Sequence, residues 1–262
     1  MKRIITGLLL IGIGVYVIAF GGIPLFLWIL LVGGIITFEF NQLILDAGYQ
    51  TSSWLSYILT GLFISSTQFS ELSQFWHHPL SMLFIGVFMS FLFYELLTKR
   101  LLLPKSRILL SLRVSVVSGV LASFIILLRQ NPNGLFLTWL CFLSIWCSDI
   151  FALYGGRLIG RTPLSPLSPK KTIEGSIVGT LSSLLVGGFY CYWMGKSLVL
   201  YLPIILLMSI VSQCGDLHES LTKRQLNAKD SSGLLPGHGG FYDRADSSLF
   251  VFPVFYYILI AL

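Results

Sequence analysis

Long apolar runs follow one another along almost the whole chain and restrict its possible folds more than any other feature. The hydrocarbon core of a bilayer is about 30 Å thick, so a spanning helix needs roughly 20 mostly apolar residues. Candidate stretches lie at residues 4–20, 22–39, 53–66, 80–97, 108–128, 135–153, 174–194, 197–215 and 246–262. Because the third stretch is short, the sequence is compatible with either eight or nine spans. The sequence predicts an all-α, polytopic integral membrane protein of about nine transmembrane helices.

Composition supports this prediction and excludes an ordinary soluble domain. Hydrophobic residues make up 55% of the 262 positions and charged residues 11%, whereas soluble domains are about 25% charged. The first apolar run follows Lys2 and Arg3 as in a signal peptide, but no small-residue cleavage site comes after it. We therefore expect the first helix to be retained. The apolar composition predicts the lipid bilayer as a partner, and no nucleic acid is expected.

The 17 Lys and Arg residues indicate the orientation in the membrane. With the N-terminus inside, only Arg129 and Lys196 fall on the outer side, and Arg113 lies close to the inner face. The other cations are inside: Lys2, Arg3, Lys99, Arg100, Lys105, Arg107, Arg157, Arg161, Lys170, Lys171, Lys223, Arg224, Lys229 and Arg244. This asymmetry follows the positive-inside rule and predicts a cytoplasmic N-terminus. Glu95 stands four residues before Lys99, a spacing that favours an ion pair within one helix.

The acidic residues gather in the second half of the chain. Seven of the 11 lie between residues 149 and 246: Asp149, Glu174, Asp216, Glu219, Asp230, Asp243 and Asp246. Asp149 is near the end of an apolar span, where an ionised carboxylate usually faces a polar cavity or a metal. The segment 155–175 is rich in turn residues and ends in Lys170, Lys171 and Thr172, where a helix should start. The N–H groups of such a helix start suit a phosphate, although an ordinary capped loop explains this segment equally well.

The segment 215–247 is denser in functional groups than a solubilising loop requires. Asp216 ends one apolar span, while Asp243 and Asp246 are three residues apart at the entry to the next and would share a helix face. Three carboxylates could then bind Mg²⁺, which commonly takes one or two carboxylates together with substrate phosphates. The glycine-rich run 236–240 could form an anion-binding nest, although taken alone it is more typical of a turn between helices. His238 could donate a hydrogen bond to a phosphate or carry a proton.

These residues resemble the signature of the phosphatidate cytidylyltransferases, also called CDP-diacylglycerol synthases. The matching positions of the last segment are Ser220, Lys223, Arg224, Lys229, Asp230, Ser232, Leu235, Pro236, His238, Gly239, Gly240, Phe241, Asp243, Arg244 and Asp246. A second block matches at Trp146, Asp149, Ala152, Gly156, Gly160, Ser168, Pro169, Lys171, Thr172, Glu174 and Gly175, and a third at Gly215, Asp216, Leu217, Glu219 and Ser220. The resemblance covers the C-terminal half strongly, and the N-terminal half mainly in hydropathy.

The resemblance implies transfer of a cytidylyl group from CTP to phosphatidic acid, giving CDP-diacylglycerol and pyrophosphate with Mg²⁺ required. We expect Asp216, Asp243 and Asp246 as metal ligands and catalytic residues, together with His238 and Lys229. Substrate-binding residues are expected at Ser168, Lys170, Lys171, Thr172, Glu174, Lys223, Arg224, Asp230, Gly239, Gly240, Arg244 and Asp149. A second cation and a homodimer are compatible with the sequence.

This interpretation places a scaffold at residues 1–134 and a catalytic region at 135–262, with cytoplasmic loops 155–175 and 216–245. The expected location is the inner membrane of a bacterium, with the active site facing the cytoplasm. Alternative hypotheses are a CTP-dependent enzyme acting on an isoprenoid lipid, as cytidylyltransferase or polyprenol kinase, and a membrane transporter. Transporters, however, show repeated halves, and this chain is asymmetric.

Overall fold

Nine helices account for most of the chain that the structure, a computed structural model, describes, namely residues 2–68, 74–235 and 239–262. They are α1 (Lys2–Phe20), α2 (Gly22–Asp46), α3 (Ser53–Ser65), α4 (Pro79–Thr98), α5 (Arg107–Gln130), α6 (Gly134–Ile159), α7 (Ile173–Trp193), α8 (Leu198–Gln225) and α9 (Tyr242–Ala261). A short 3-10 turn, Gln74–His77, precedes α4, and α5 contains one π-helical turn, Val116–Val120. The all-α prediction is confirmed.

Seven of these helices are long and apolar enough to cross a membrane: α2 and α4 to α9. The chain is therefore a polytopic membrane protein, with seven candidate spans in the described part where the sequence predicts about nine. The 13 residues of α3 reach only about 20 Å at 1.5 Å per residue, short of the roughly 30 Å core. Within α1 the described apolar stretch is Ile11–Phe20, which is shorter still.

Several helices continue beyond the ends that hydropathy predicts. The predicted ends were residue 39 for α2, 153 for α6 and 215 for α8, but these helices end at Asp46, Ile159 and Gln225. Polar side chains end an apolar run without ending the backbone helix, and α8 gains a Glu219–Lys223 ion pair of 2.5 Å across one turn. Much of the predicted loop 216–245 is thus helical and rigidly connected to the bundle.

The central helix of the bundle is α5, in which 83% of the most apolar 18-residue stretch is buried. Its Ser118 lies in the π-helical turn and forms a hydroxyl cluster with Thr37 of α2 and Thr60 of α3, at 2.7 and 3.0 Å. Hydroxyl pairs of this kind join helices where apolar side chains cannot distinguish a neighbouring helix from lipid. The cluster fixes the N-terminal helices around α5.

Small residues bring α6 and α7 into close contact. On α7 they recur at every fourth position, Gly175, Gly179, Ser183 and Gly187, and they face Ser148, Ala152 and other small residues of α6. A Cβ at Gly179 would lie 2.5 Å from the carbonyl oxygen of Ser148, closer than any side chain tolerates. The close packing of the two helices therefore depends on this stripe.

A buried ionic network connects α4, α5 and α8. Arg113 binds both carboxylate oxygens of Glu95, at 2.8 and 2.7 Å, and His218 Nε2 lies 3.0 Å from Glu95 Oε2. The Glu95 carboxylate also accepts the Leu102 N–H at 2.6 Å. The expected pairing of Glu95 with Lys99 is wrong, because Glu95 points into the protein while Lys99 is exposed and ends α4 in a left-handed conformation.

Candidate active site

Three carboxylates meet where the polar ends of α8 and α9 pack together. Asp216 and Glu219 are one turn apart on α8, Asp246 comes from α9, and one oxygen of each lies within 4.8 Å of the others. Gly215 permits this approach, because a Cβ there would be 2.9 Å from the Asp246 carbonyl oxygen. Clustered carboxylate oxygens are the donors that hard divalent cations prefer. The cluster of Asp216, Glu219 and Asp246, called here the acidic cluster, therefore fits a cation such as Mg²⁺.

Asp243, expected as the third ligand, lies beside the acidic cluster, where it interacts with Glu219. Its carboxylate accepts Lys223 Nζ at 2.9 Å and the N–H groups of Ser231 and Gly240 at 3.0 and 2.8 Å. The third position of the cluster is occupied by Glu219, which the sequence interpretation did not include among the ligands. Its spacing from Asp216, three residues on one helix, was the available signal.

A cavity of about 570 Å³ opens beside the acidic cluster. It is lined by the end of α6, the following loop, the start of α7 and one face of α8, with Asp149, Ser168, Lys170, Lys171, Thr172, Gln213 and Asp216 among its residues. Lys171 Nζ lies 2.5 Å from Asp216 Oδ2, so the cavity and the acidic cluster share a wall. Five of the predicted substrate-binding residues and one predicted ligand are thereby brought together.

The start of α7 gives the cavity a helix N-terminus. Thr172 caps it, its hydroxyl oxygen accepting the Gly175 N–H at 3.1 Å, as the sequence predicted for a helix start. Glu174, expected to contact substrate, instead accepts the N–H groups of Arg161 and Thr162 at 3.0 and 3.2 Å. It holds the preceding loop in place and does not line the cavity.

The remaining predicted site residues occupy varied positions. Lys223 is partly buried between Glu219 and Asp243, at 2.5 and 2.9 Å. Lys229 and Asp230 are exposed, as is Arg224, which donates to the Ala228 carbonyl at 3.4 Å. Arg244 is exposed within electrostatic reach of Asp149. His238, with Pro236 and Gly237, lies outside the described residues.

Comparison with known proteins places the whole chain in one family. The model of the cytidylyltransferase family matches residues 1–262. The chain belongs to the cytidylyltransferase family. Its relatives include three bacterial proteins, each named phosphatidate cytidylyltransferase, from Synechocystis sp., Helicobacter pylori and Bacillus subtilis.

The relatives differ in how much of their length the chain matches. The Synechocystis protein is 48% identical over 134 residues, which are 50% of this chain and 45% of that protein. The Helicobacter protein is 43% identical over 115 residues, 43% of this chain and 42% of that protein. These alignments thus span less than half of either relative. The Bacillus protein is 29% identical over 269 aligned positions, covering 98% of this chain and 97% of that protein.

In this cytidylyltransferase-family chain a residue of the N-terminal half contacts the residues that lead into α9. Glu39 of α2, fully buried, accepts hydrogen bonds from the backbone N–H groups of Phe241 and Tyr242 and from the hydroxyls of Ser231 and Ser232. Sequence interpretation missed Glu39, although a carboxylate at the end of a predicted span was the same signal that identified Asp149.

Proposed function

We propose that the protein transfers a cytidylyl group from CTP to phosphatidic acid, forming CDP-diacylglycerol and pyrophosphate. The observation that carries the proposal is the shared wall of the acidic cluster and the lysine-lined cavity, at one end of a membrane bundle. A site for a nucleotide and a lipid phosphate needs a cation, anion-binding groups and access from the bilayer. Membership of the cytidylyltransferase family and the names of its relatives support the same reaction.

The acidic cluster is the proposed cation site. Asp216, Glu219 and Asp246 supply only oxygen donors, and Lys171 and Lys223 lie beside them as compensating cations. This donor set fits Mg²⁺ and does not fit a soft metal. When bound, the ion would neutralise charge on the phosphate oxygens. A second cation is compatible with Asp149, which lines the same cavity.

The side chains of the cavity are proposed to place the two phosphate chains. An oxygen of phosphatidic acid attacks the α-phosphorus of CTP, one P–O bond forms, and the bond to the bridging oxygen breaks as pyrophosphate leaves. Lys170 and Lys171 attract the phosphates, and the N-terminus of α7 offers N–H donors to them. Such a reaction depends chiefly on positioning and charge stabilisation, which needs no covalent enzyme intermediate.

The proposed location is the cell membrane of a bacterium, with the N-terminus and the site on the cytoplasmic side. We propose α1 and α3 as two further, short crossings, giving nine. Hydrogen bonds tie both ends of α3 to α5, from Ser52 N to Ser111 Oγ at 2.8 Å and from Gln130 Nε2 to the Thr67 carbonyl at 3.1 Å. Two added crossings leave the orientation of α4 to α9 unchanged. The Lys and Arg residues that follow α3 therefore stay on the sides of the membrane that the positive-inside rule predicts.

The proposed division of labour gives the chemistry to residues 135–262 and the scaffold to residues 1–134, with Glu39 as a scaffold residue that reaches the site. A homodimer is compatible with the broad apolar surface of the described helices, which lipid would otherwise cover.

The test is transfer of label from α-labelled CTP into an organic-extractable lipid by the purified protein with phosphatidic acid and Mg²⁺. Asp216→Asn is the control variant, since it removes a charge from the acidic cluster at nearly constant volume. We expect labelled lipid from the parent and none from the variant. Absence of label with the parent, followed by transfer of γ-label to an isoprenoid acceptor, would replace the proposal with a lipid kinase.

A further inference from the structure

Glu39 has an unusual environment for a carboxylate in a membrane helix. Its side chain has no exposed surface. Oε1 accepts Ser232 Oγ–H at 2.6 Å and Phe241 N–H at 3.0 Å, and Oε2 accepts Ser231 Oγ–H at 3.2 Å and Tyr242 N–H at 2.8 Å. All four donors belong to the segment that joins α8 to α9.

Such a group is retained only where its bonds offset its desolvation. Moving a carboxylate out of water is costly, and hydrogen bonds to the ionised form are about twice as strong as neutral ones. Two of the donors are backbone N–H groups at the start of α9, where the helix dipole also favours negative charge. Glu39 therefore depends on the shape of the connecting segment, and the segment depends on Glu39.

A second carboxylate binds the same segment from its other side. Asp243 accepts the N–H groups of Ser231 and Gly240, while Glu39 takes the Ser231 hydroxyl and the next two N–H groups along the chain. Gly240 lies between them, because a Cβ there would collide with Ser231 Oγ and lie 2.5 Å from Glu39 Oε1. Ser231 and Gly240 thus lie side by side next to Glu39, and position 240 has room for no residue larger than glycine.

The position of the start of α9 determines where the acidic residues of α9 lie. Phe241 and Tyr242 start α9, which carries Asp243 to Lys223 and, one turn later, Asp246 to Asp216 and Glu219. The ring of Tyr242 also stacks on Phe40, the neighbour of Glu39, with centroids 5.3 Å apart. The start of α9 is therefore fixed against α2 by both backbone and side chain.

We propose that Glu39 is a positioning residue of the active site, which holds Ser231 and Ser232 against the start of α9 and so sets the place of Asp246 in the acidic cluster. Its effect on turnover rests on the proposed function, but its effect on the segment does not. Glu39 does not line the cavity and has no contact with the acidic cluster among its hydrogen bonds. It acts through the backbone of α9.

The test uses Glu39→Gln in the full-length protein. The amide keeps the shape but loses the charge and turns one acceptor into a donor that faces the N–H groups of α9. We expect turnover to fall by about tenfold or more, as when positioning is lost at a distance, and the Mg²⁺ concentration for half-maximal turnover to rise. Trypsin should also cut faster after the exposed Lys229 in the native protein, which needs no substrate to detect.

Asn41→Ala is the matched control. Asn41 is buried on the same helix, but its side chain accepts a hydrogen bond from Ser56 of α3 and does not reach the segment. We expect parent-like turnover and cleavage. Glu39→Asp serves as a second variant that keeps the charge and should give intermediate values, also if Glu39→Gln fails to insert.

Parent-like turnover, Mg²⁺ dependence and cleavage in Glu39→Gln would overturn the proposal, as would equal losses in Asn41→Ala, which would indicate general packing. A parent without cytidylyl transfer would refute the proposed function, and faster cleavage of Glu39→Gln at Lys229 alone would still support the attachment of Ser231 and Ser232 to α9 by Glu39. Unchanged cleavage in that case would refute both.

Discussion

Two carboxylates near the site, Glu219 and Asp243, differ in role although both are three residues from another acid. Both bind Lys223, but Glu219 stands in the acidic cluster, whereas Asp243 beside it also accepts two backbone N–H groups. Sequence spacing shows which acids share a helix face, but the loop that approaches each face decides which of them remain available to a cation.

The distinction between these residues can be measured. We expect Glu219→Gln to raise the Mg²⁺ concentration for half-maximal cytidylyl transfer by more than the about 10–100-fold typical of residues that only support a ligand. Asp243→Asn should lower turnover by loosening the segment, with a smaller shift in Mg²⁺ dependence. The measurement is a Mg²⁺ titration of labelled-lipid formation. An unchanged titration in Glu219→Gln would remove Glu219 from the cation site and favour the original expectation for Asp243.

At the scale of the elements, hydropathy located all nine helices of the described residues but misplaced several of their ends. It detects the part of a helix that lipid surrounds, while the polar continuation of α8 depends on the Glu219–Lys223 pair and on packing. The α6–α7 contact could have been read from the four-residue spacing of Gly175, Gly179, Ser183 and Gly187. The partners of Glu39 could not, because they lie up to 203 residues away and only the tertiary fold selects them.

The stripe of small residues on α7 leads to a prediction of its own. Gly179→Ala should destabilise the protein by about 1–3 kcal/mol, the usual cost of overpacking, because the new methyl group meets the Ser148 carbonyl and Ala152. It should also lower activity, since α6 and α7 both line the cavity. The control is Gly86→Ala on α4, where a Cβ meets nothing within 4 Å. Thermal unfolding in detergent measures the stability of both variants. Equal unfolding midpoints for Gly179→Ala and Gly86→Ala would contradict the close packing of α6 and α7.

At the scale of the whole molecule, two buried acids from the N-terminal half reach the helices that carry the acidic cluster. Glu39 binds the start of α9, and Glu95 joins Arg113 to His218 on α8. The division at residue 134 stays a prediction, and buried polar contacts join the two halves across it. The site depends on contacts that neither half contains alone.

The Glu95–Arg113 pair should show strong coupling. Breaking a buried pair leaves an uncompensated charge, so Glu95→Gln and Arg113→Gln should each cost about 3–5 kcal/mol in the free energy of unfolding. The double variant should be less destabilised than the sum of the two, because it leaves neither charge unpaired. Chemical unfolding in detergent completes the cycle, with the exposed Lys99→Gln as the near-neutral control. Additive losses would mean that the two side chains do not act as a pair.

The separation of Glu39 from its donors also has a consequence for biosynthesis. The carboxylate leaves the ribosome early, while Tyr242 follows 203 residues later. At about 5–20 residues per second, the interval is roughly 10–40 s. During this time α2 must remain in the membrane without the bonds that make Glu39 tolerable there. Translation of α9 supplies these bonds, so the step that completes the acidic cluster is also the one that stabilises Glu39 within α2.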